Sequence, residues 1–216
     1  MDRQDRLWIG TNDFGLFLLE KGSLRRVDRK DQSASASIRS IVEDSEGVMV
    51  VGSAAGVYTV DTDLKIAAVE DERLAASTIV ELRAGVGGLI YGITQEGDLF
   101  TLKAGGLHAW LEHEACGLGN VKAILPDFAN PGAPYLATED PGTKSARIHH
   151  GTPEDRFASA QVVDIAPLSY VERMEILDGG AVDLRGERGR QAERIGAAAA
   201  EERANGQVRG PCDDGL

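Results

Sequence analysis

The chain has 216 residues, of which 42% are hydrophobic, so it is long enough to bury a sizeable core. Its formal net charge of −12 leaves no basic stripe to neutralise phosphates, which argues against binding to nucleic acid or to an anionic membrane surface. The two cysteines form no metal-binding pattern, no run of eighteen apolar residues could span a bilayer, and the polar residues 1–6 do not read as a signal peptide.

One short apolar segment recurs along the chain, and the second residues of successive copies are 42, 41 and 44 positions apart. Each copy is rich in aromatic and β-branched residues and ends in Ser or Thr, a profile typical of a strand buried on both faces. We expect it to be the innermost strand of its unit. The four copies are Leu7–Thr11, Met49–Ser53, Ile90–Thr94 and Pro134–Thr138.

Further strands follow each copy, three of them in the first three copies. A turn with glycine precedes the second strand, because hairpin turns favour positive φ, and a third strand follows it in the first three copies. The fourth strand is again apolar and is followed within a few residues by glycine. The fourth strands are Ile38–Asp44, Ile79–Leu82, Val121–Asp127 and Val171–Asp178.

Four short strands per period of about 40 to 45 residues, without helical periodicity, are typical of β-propeller blades. We therefore predict an all-β fold, a partial β-propeller of about four four-stranded antiparallel blades at residues 7–47, 48–88, 89–132 and 133–180. A β-sandwich is the rival fold, but it would not repeat the same strand chemistry at a fixed period.

The repeat resembles the two-component regulator propeller repeat, whose hallmark is an acidic residue, a short turn, Leu-Trp-Ile-Gly-Thr and a glycine before the second strand. Residues 2–16 match it best and residues 43–53 come second, and the tryptophan stands in the first copy alone. The resemblance implies the sensory, extracytoplasmic part of a bacterial signalling protein that is membrane-anchored and dimeric. Its output domain would be a histidine kinase or a diguanylate cyclase, and neither is found in this sequence.

The two ends of the chain depart from the repeat. Residues 1–6 match the end of a fourth strand, so we expect an incomplete propeller that forms an open arc. From residue 181 the composition shifts to Ala, Arg, Glu and Gly, which predicts a non-β tail at 181–216, partly helical or disordered, with a helix from about Gln191 to Arg203. Our competing hypothesis is a fifth blade read out of frame, since a one-base shift permits Gln-Trp-Ile at the start of this segment; the coding DNA decides between the two.

Few residues indicate a binding or catalytic role. Trp8 lies within an apolar strand and is expected in the core. Trp110, beside polar neighbours, and the adjacent histidines His149 and His150 are the candidate ligand-binding residues. No histidine has a carboxylate at a spacing that defines a known metal site, so we predict no metal, no cofactor and no catalytic residue.

Two functions remain open, beside a third possibility that the chain is a truncated or mis-translated gene product without a function of its own. The first is a sensory or interaction propeller whose loops bind a small molecule, a glycan fragment or a protein domain, without catalysis. The second is a propeller lyase or hydrolase, which needs a histidine and an acid on one face. A carboxylate within hydrogen-bond reach of His149 or His150 in a concave site would favour the second function, and isolation of both histidines on the rim would remove it.

Overall fold

The computed structural model describes residues 1–27, 37–140, 142–143, 145–165, 171, 173–176, 182–186 and 190–195. These residues form five antiparallel sheets and one short helix, α1 (Glu72–Ala76), capped at its start by the Asp71 carboxylate. The predicted all-β class is therefore confirmed. In the described ranges, no helix has the length and apolarity needed to cross a membrane.

The strands group in chain order. The first sheet contains β1 (Leu7–Gly10), β2 (Leu16–Glu20) and β3 (Ser23–Val27), and the second contains β4 (Ile38–Glu43), β5 (Met49–Ser53), β6 (Gly56–Val60) and β7 (Ile66–Ala68). The third contains β8 (Ile79–Ala84), β9 (Leu89–Thr94), β10 (Leu99–Lys103) and β11 (Gly106–Leu111), and the fourth contains β12 (Asn120–Leu125), β13 (Tyr135–Glu139), β14 (Ala146–His150) and β15 (Gln161–Ile165). The fifth contains β16 (Arg173–Ile176), β17 (Val182–Gly186) and β18 (Arg190–Ile195).

The sheets are offset by one strand from the predicted repeats 7–47, 48–88, 89–132 and 133–180. The last strand of each predicted repeat pairs with the first strand of the next, as β4 pairs with β5 and β12 with β13. The recurring apolar segment is therefore the second strand of each four-stranded sheet, and the expectation that it is innermost is corrected. The short turns that join β4 to β5 and β8 to β9 make these strands hairpin neighbours.

The edge strands β4, β8 and β12 carry the same irregularity. Each has a β-bulge one residue after its first apolar position, between Ile38 and Ser40, Ile79 and Glu81, and Val121 and Ala123. A bulge bends a strand and increases its local twist. Its recurrence in three sheets shows that the repeat governs backbone geometry as well as strand order.

Glycine at the end of β1 and of β5 lets neighbouring sheets pack closely. A Cβ atom on Gly10 would lie 2.5 Å from the side chain of Ile38, and one on Gly52 would lie 2.7 Å from that of Ile79. Both isoleucines are the first residues of the edge strand of the next sheet, and they are buried. The glycine of the repeat is therefore required by side-chain packing between sheets rather than by a turn.

The described chain divides into two compact units, one formed by residues 1–96 with 100–108 and the other by 97–99 with residues from 109 onwards. Trp8, Leu18, Val51 and Tyr58 belong to the core of the first unit, so the expectation that Trp8 is a core residue is confirmed. In the second unit, Ala137, Ile148 and Ile165 pack with Met174.

The tail differs from the sequence expectation where it is described. Residues 182–186 and 190–195, predicted to be non-β with a helix from about Gln191, form β17 and β18, which pair antiparallel with each other. β17 pairs with β16 and β18 pairs with β17, so these residues gain strand partners that helix propensity does not foresee. Residues 196–216, including the rest of the predicted helix and of the out-of-frame segment, lie outside the described residues.

Candidate functional site

The three candidate ligand-binding residues occupy two sheets. His149 and His150 lie next to each other on β14, in the fourth sheet, and Trp110 lies half-buried on β11, the edge strand of the third. Because neighbouring residues of a strand face opposite ways, the two histidines have different surroundings. His149 is 3% exposed, whereas His150 is only half-buried.

A polar cluster surrounds Asp127, at the start of the loop 126–134 that joins β12 to β13. One oxygen of Asp127 accepts the backbone N–H groups of Ala129, at 2.9 Å, and Asn130, at 3.3 Å. The other oxygen accepts the side-chain amide of Asn130 at 2.9 Å and lies 3.1 Å from Nε2 of His150. The carboxylate therefore holds the loop through bonds to Ala129 and Asn130, and its contact with His150 links the loop to β14.

The electrostatics of the cluster favour a charged carboxylate. Burial alone would raise the pKa of Asp127, but the bonds from Asn130 and Ala129 and the nearby His150 hold that pKa below its ordinary value. Burial, and then the charge of Asp127, raises the pKa of Tyr135. Asp127 is thus an acceptor at neutral pH and a weak base, while Tyr135 stays protonated.

Loop 126–134 is held at its base and exposed at its tip. Tyr135 and His150 stack beside it, with ring centroids 4.1 Å apart and an angle of 9° between the ring planes. Pro126 and Pro134 are buried at its two ends. Between them, the side chain of Phe128 is 65% exposed. The corresponding turns at 44–48 and 85–88 are shorter.

His149 occupies an apolar position of β14. Its Nε2 lies 3.0 Å from the hydroxyl of Thr138, and its Nδ1 is buried without a hydrogen-bond partner. Burial, and then the charge of Arg147, lower the pKa of His149 to about 4. His149 is therefore neutral at physiological pH, and its side chain is buried.

The first sheet contains a counterpart of the Asp127 cluster. Asp2 precedes Trp8 as Asp127 precedes Tyr135, the residue that aligns with Trp8 in the repeat. One oxygen of Asp2 accepts from Nε of Arg6 at 2.6 Å and from Nε1 of Trp8 at 2.8 Å. An aspartate that locks the turn before an aromatic strand is thus part of the repeat architecture, and the Asp127–His150 pair is its variant in the fourth sheet.

A second histidine–carboxylate pair lies elsewhere. Nδ1 of His113 is 2.8 Å from Asp98, whose carboxylate also accepts the backbone N–H of His113 at 3.0 Å. Neither Asp98 nor Asp127 could be assigned to its histidine from sequence spacing, because each pair joins residues at the ends of different strands. Alignment of the repeats, which matches Asp127 with Asp2 and Asp44, is the signal that could have identified Asp127. Within the described residues, no three His, Cys, Asp or Glu side chains are grouped so as to hold a metal ion.

No family model and no curated protein matches the chain. Solved structures do match it. Virginiamycin B lyase from Staphylococcus aureus shares 14% identity over 92% of this chain, with a TM-score of 0.69. The extracellular domain assigned to a hybrid two-component system of B. thetaiotaomicron shares 19% identity over 92% of the chain, with a TM-score of 0.67. A WD40 β-propeller domain shares 18% identity over 84% of the chain, with a TM-score of 0.56.

These similarities concern the fold. The chain spans 65% of the lyase, 28% of the two-component domain and 57% of the WD40 domain. Together with the four-stranded antiparallel sheets they confirm the predicted partial β-propeller, whose blades are the sheets described above. The structural neighbours include both extracellular domains of two-component systems and lyases.

Proposed function

We propose that this chain is a recognition module, the ligand- or protein-binding propeller region of an extracytoplasmic bacterial sensor, and that it has no catalytic activity of its own. The proposal rests on the Asp127 cluster. A general base needs a carboxylate or imidazole that is free to accept a proton. Both oxygens of Asp127 instead accept hydrogen bonds from the loop, one of them also contacts His150, and the pKa of the carboxyl group lies below its ordinary value.

The cluster presents Phe128 rather than a reactive group. An exposed aromatic ring on a loop held by a carboxylate and two buried prolines loses little conformational entropy on binding, which is the property of an anchor residue. The extracellular two-component domain with the same fold supports a sensory role and an extracytoplasmic location. The ligands compatible with such an anchor are a small molecule, a glycan fragment or a protein domain.

A binding comparison tests the recognition role. The labelled chain is applied to a glycan array and screened by ligand-observed NMR against a library of sugars and short peptides. We expect Phe128→Ala to weaken the detected interactions at least about tenfold. Phe14→Ala is the matched control, because Phe14 is 67% exposed on the loop between β1 and β2. Equal binding by the two variants would contradict the role of loop 126–134.

The second function, a propeller lyase, is favoured by one observation: the 3.1 Å contact of His150 with Asp127 in a chain that shares its fold with virginiamycin B lyase. A direct assay distinguishes the two proposals. The chain is incubated with virginiamycin B or with quinupristin, which is bound in one of the matching lyase structures, and the products are followed by chromatography and mass spectrometry. We expect no turnover. Turnover that is lost in His150→Ala would replace the sensor proposal with the lyase.

A further inference from the structure

Two loops lie side by side at one end of the fourth sheet. Loop 126–134 joins β12 to β13, and loop 151–160 joins β14 to β15. The last residue of β12 pairs with the first of β13, the first of β13 with the last of β14, and the last of β14 with the first of β15. Neighbouring strands are about 4.8 Å apart, so the two loops form one surface, which we call the loop pair.

Loop 151–160 is held from within, as loop 126–134 is held by Asp127. Phe157, near its centre, is fully buried, and its backbone N–H donates to the carbonyl of Thr152 at 2.9 Å. The backbone N–H of Ala158 donates to the carbonyl of Asp155 at 3.1 Å. Glu154, between the bonded residues, is exposed. Both halves of the loop pair are therefore ordered before a ligand arrives, which lowers the entropic cost of binding.

The loop pair is acidic. Its sequence contains three carboxylates, Asp127, Glu154 and Asp155, and one cation, Arg156. The pKa of Asp127 and that of Asp155 lie below their ordinary values, the latter because Ser159 donates a hydrogen bond to the carboxylate. The chain as a whole has a formal net charge of −12, which attracts cations over a longer range.

The aromatic ring in this acidic surface has its own preference. Phe128 is 65% exposed, and the face of an aromatic ring is the negative part of its quadrupole. An isolated ring would accept any apolar group, but a ring among carboxylates favours a group that is flat and positively charged. The guanidinium of arginine meets both conditions, since it stacks on aromatic faces and pairs with carboxylates.

We propose that the loop pair binds an arginine-containing segment of a protein partner, with a guanidinium stacked on Phe128 and paired with the carboxylate of Glu154. This inference rests on the proposed recognition function and gives it a ligand class. Among a small molecule, a glycan fragment and a protein domain, the charge of the loop pair favours a protein domain with a basic segment.

The probe is the capped peptide Gly-Arg-Arg-Gly, added to the isotope-labelled chain and followed by NMR chemical shifts. The matched control is the same peptide with citrulline in place of both arginines, which keeps the shape and removes the charge. We expect the arginine peptide to bind at least about tenfold more tightly, to perturb residues 127–134 and 151–160, and to weaken as the NaCl concentration rises. Equal affinities, no binding, or shifts confined to other residues would overturn the proposal.

Two pairs of variants separate the ring from the charge. Phe128→Leu keeps an apolar side chain without a π face and should weaken the arginine peptide about threefold or more, whereas Phe14→Leu should not change it. Glu154→Gln should weaken it by a similar factor, whereas Glu114→Gln, on an exposed residue between β11 and β12, should not. Equal effects within either pair would show that the peptide responds to overall charge or to any exposed ring, and would refute the assignment to the loop pair.

A neutral ligand separates failure of this inference from failure of the proposed function. If a sugar or an uncharged peptide binds and Phe128→Ala weakens it, while the arginine peptide does not bind, loop 126–134 is a recognition site and only the ligand class is wrong. If Phe128→Ala changes the binding of neither kind of ligand, both proposals fall.

Discussion

Removal of the Asp2 carboxylate tests whether the turn before β1 is held by charge. Asp2, Arg6 and Trp8 are 5%, 5% and 8% exposed, and the carboxylate bonds both the guanidinium and the indole. Asp2→Ala leaves the buried guanidinium without this partner, which typically costs about 3–5 kcal/mol. We expect a loss of that size in the free energy of unfolding at pH 7, measured by urea titration with circular dichroism.

Asp44→Ala is the matched control. Asp44 occupies the same position in the next turn, is half-buried, and accepts the backbone N–H groups of Glu46 and Val48 at 2.8 and 2.9 Å. Loss of two backbone bonds at such a site costs about 1 kcal/mol, as for a helix cap. Equal destabilisation by Asp2→Ala and Asp44→Ala would show that the ion pair adds nothing to the turn.

The pH dependence gives a second measure of the same interaction. Burial opposes ionisation of Asp2, but bonds from Trp8, Arg6 and Gln4 prevail, and its pKa falls to about 2. A depressed folded pKa contributes stability that is present above the unfolded pKa, near 3.9, and is lost as the pH falls to about 2. The stabilisation is about 2.5 kcal/mol at pH 7. In Asp2→Asn, this part of the acid dependence should disappear; an unchanged acid transition would refute the reasoning.

Two further predictions concern the interior. The pKa of His149 in the folded chain is about 4, so its contribution to stability is fully present above pH 6.5 and declines as the pH falls toward 4. Between pH 7.5 and pH 5 the free energy of unfolding should fall by about 2 kcal/mol, and His149→Gln should remove this loss. Unfolding midpoints at the two pH values measure the effect, and an equal loss in the variant would contradict it. Gly52→Ala should destabilise the chain by about 1–3 kcal/mol, since its Cβ would lie 2.7 Å from the side chain of Ile79. Gly106→Ala, whose Cβ would have its nearest atom 3.9 Å away, should be near neutral in the same urea titration. Equal effects of the two substitutions would show that the side chain of Ile79 can move aside without cost.

The repeat period predicts the strands well but leaves their grouping into sheets undetermined. A period of about 42 residues reads the same from any starting point, so it cannot say whether Ile38–Glu43 completes one sheet or begins the next. Connection length could have decided, because the turn 44–48 with its aspartate and glycine is a hairpin signal, while the connection from β3 to β4 is longer. Helix α1, whose local cue is Asp71 at its start, is too short to show periodicity.

The candidate site was predictable only in part. The sequence singled out the adjacent residues His149 and His150, and the structure places them next to each other on β14, with His149 buried and His150 half-buried. Their partners, Thr138 and Asp127, lie on other strands or loops, and only the pairing of β12, β13 and β14 brings them together. The exposure of Phe128 likewise depends on how the loop is anchored, and an apolar residue between prolines gives no local sign of it.

The one-strand offset between repeat and sheet has a consequence for how such a chain changes in evolution. The second to fifth sheets each take their edge strand from the sequence unit before them, so the boundaries of the sequence repeat do not coincide with the boundaries of the sheets. Unequal recombination that joins equivalent positions of two repeats therefore restores one complete repeat. The strands of that repeat again form a sheet with its bulge and its packing glycine. Blades can be gained or lost without a privileged crossover site, and the number of repeats can drift while the geometry of each sheet stays fixed.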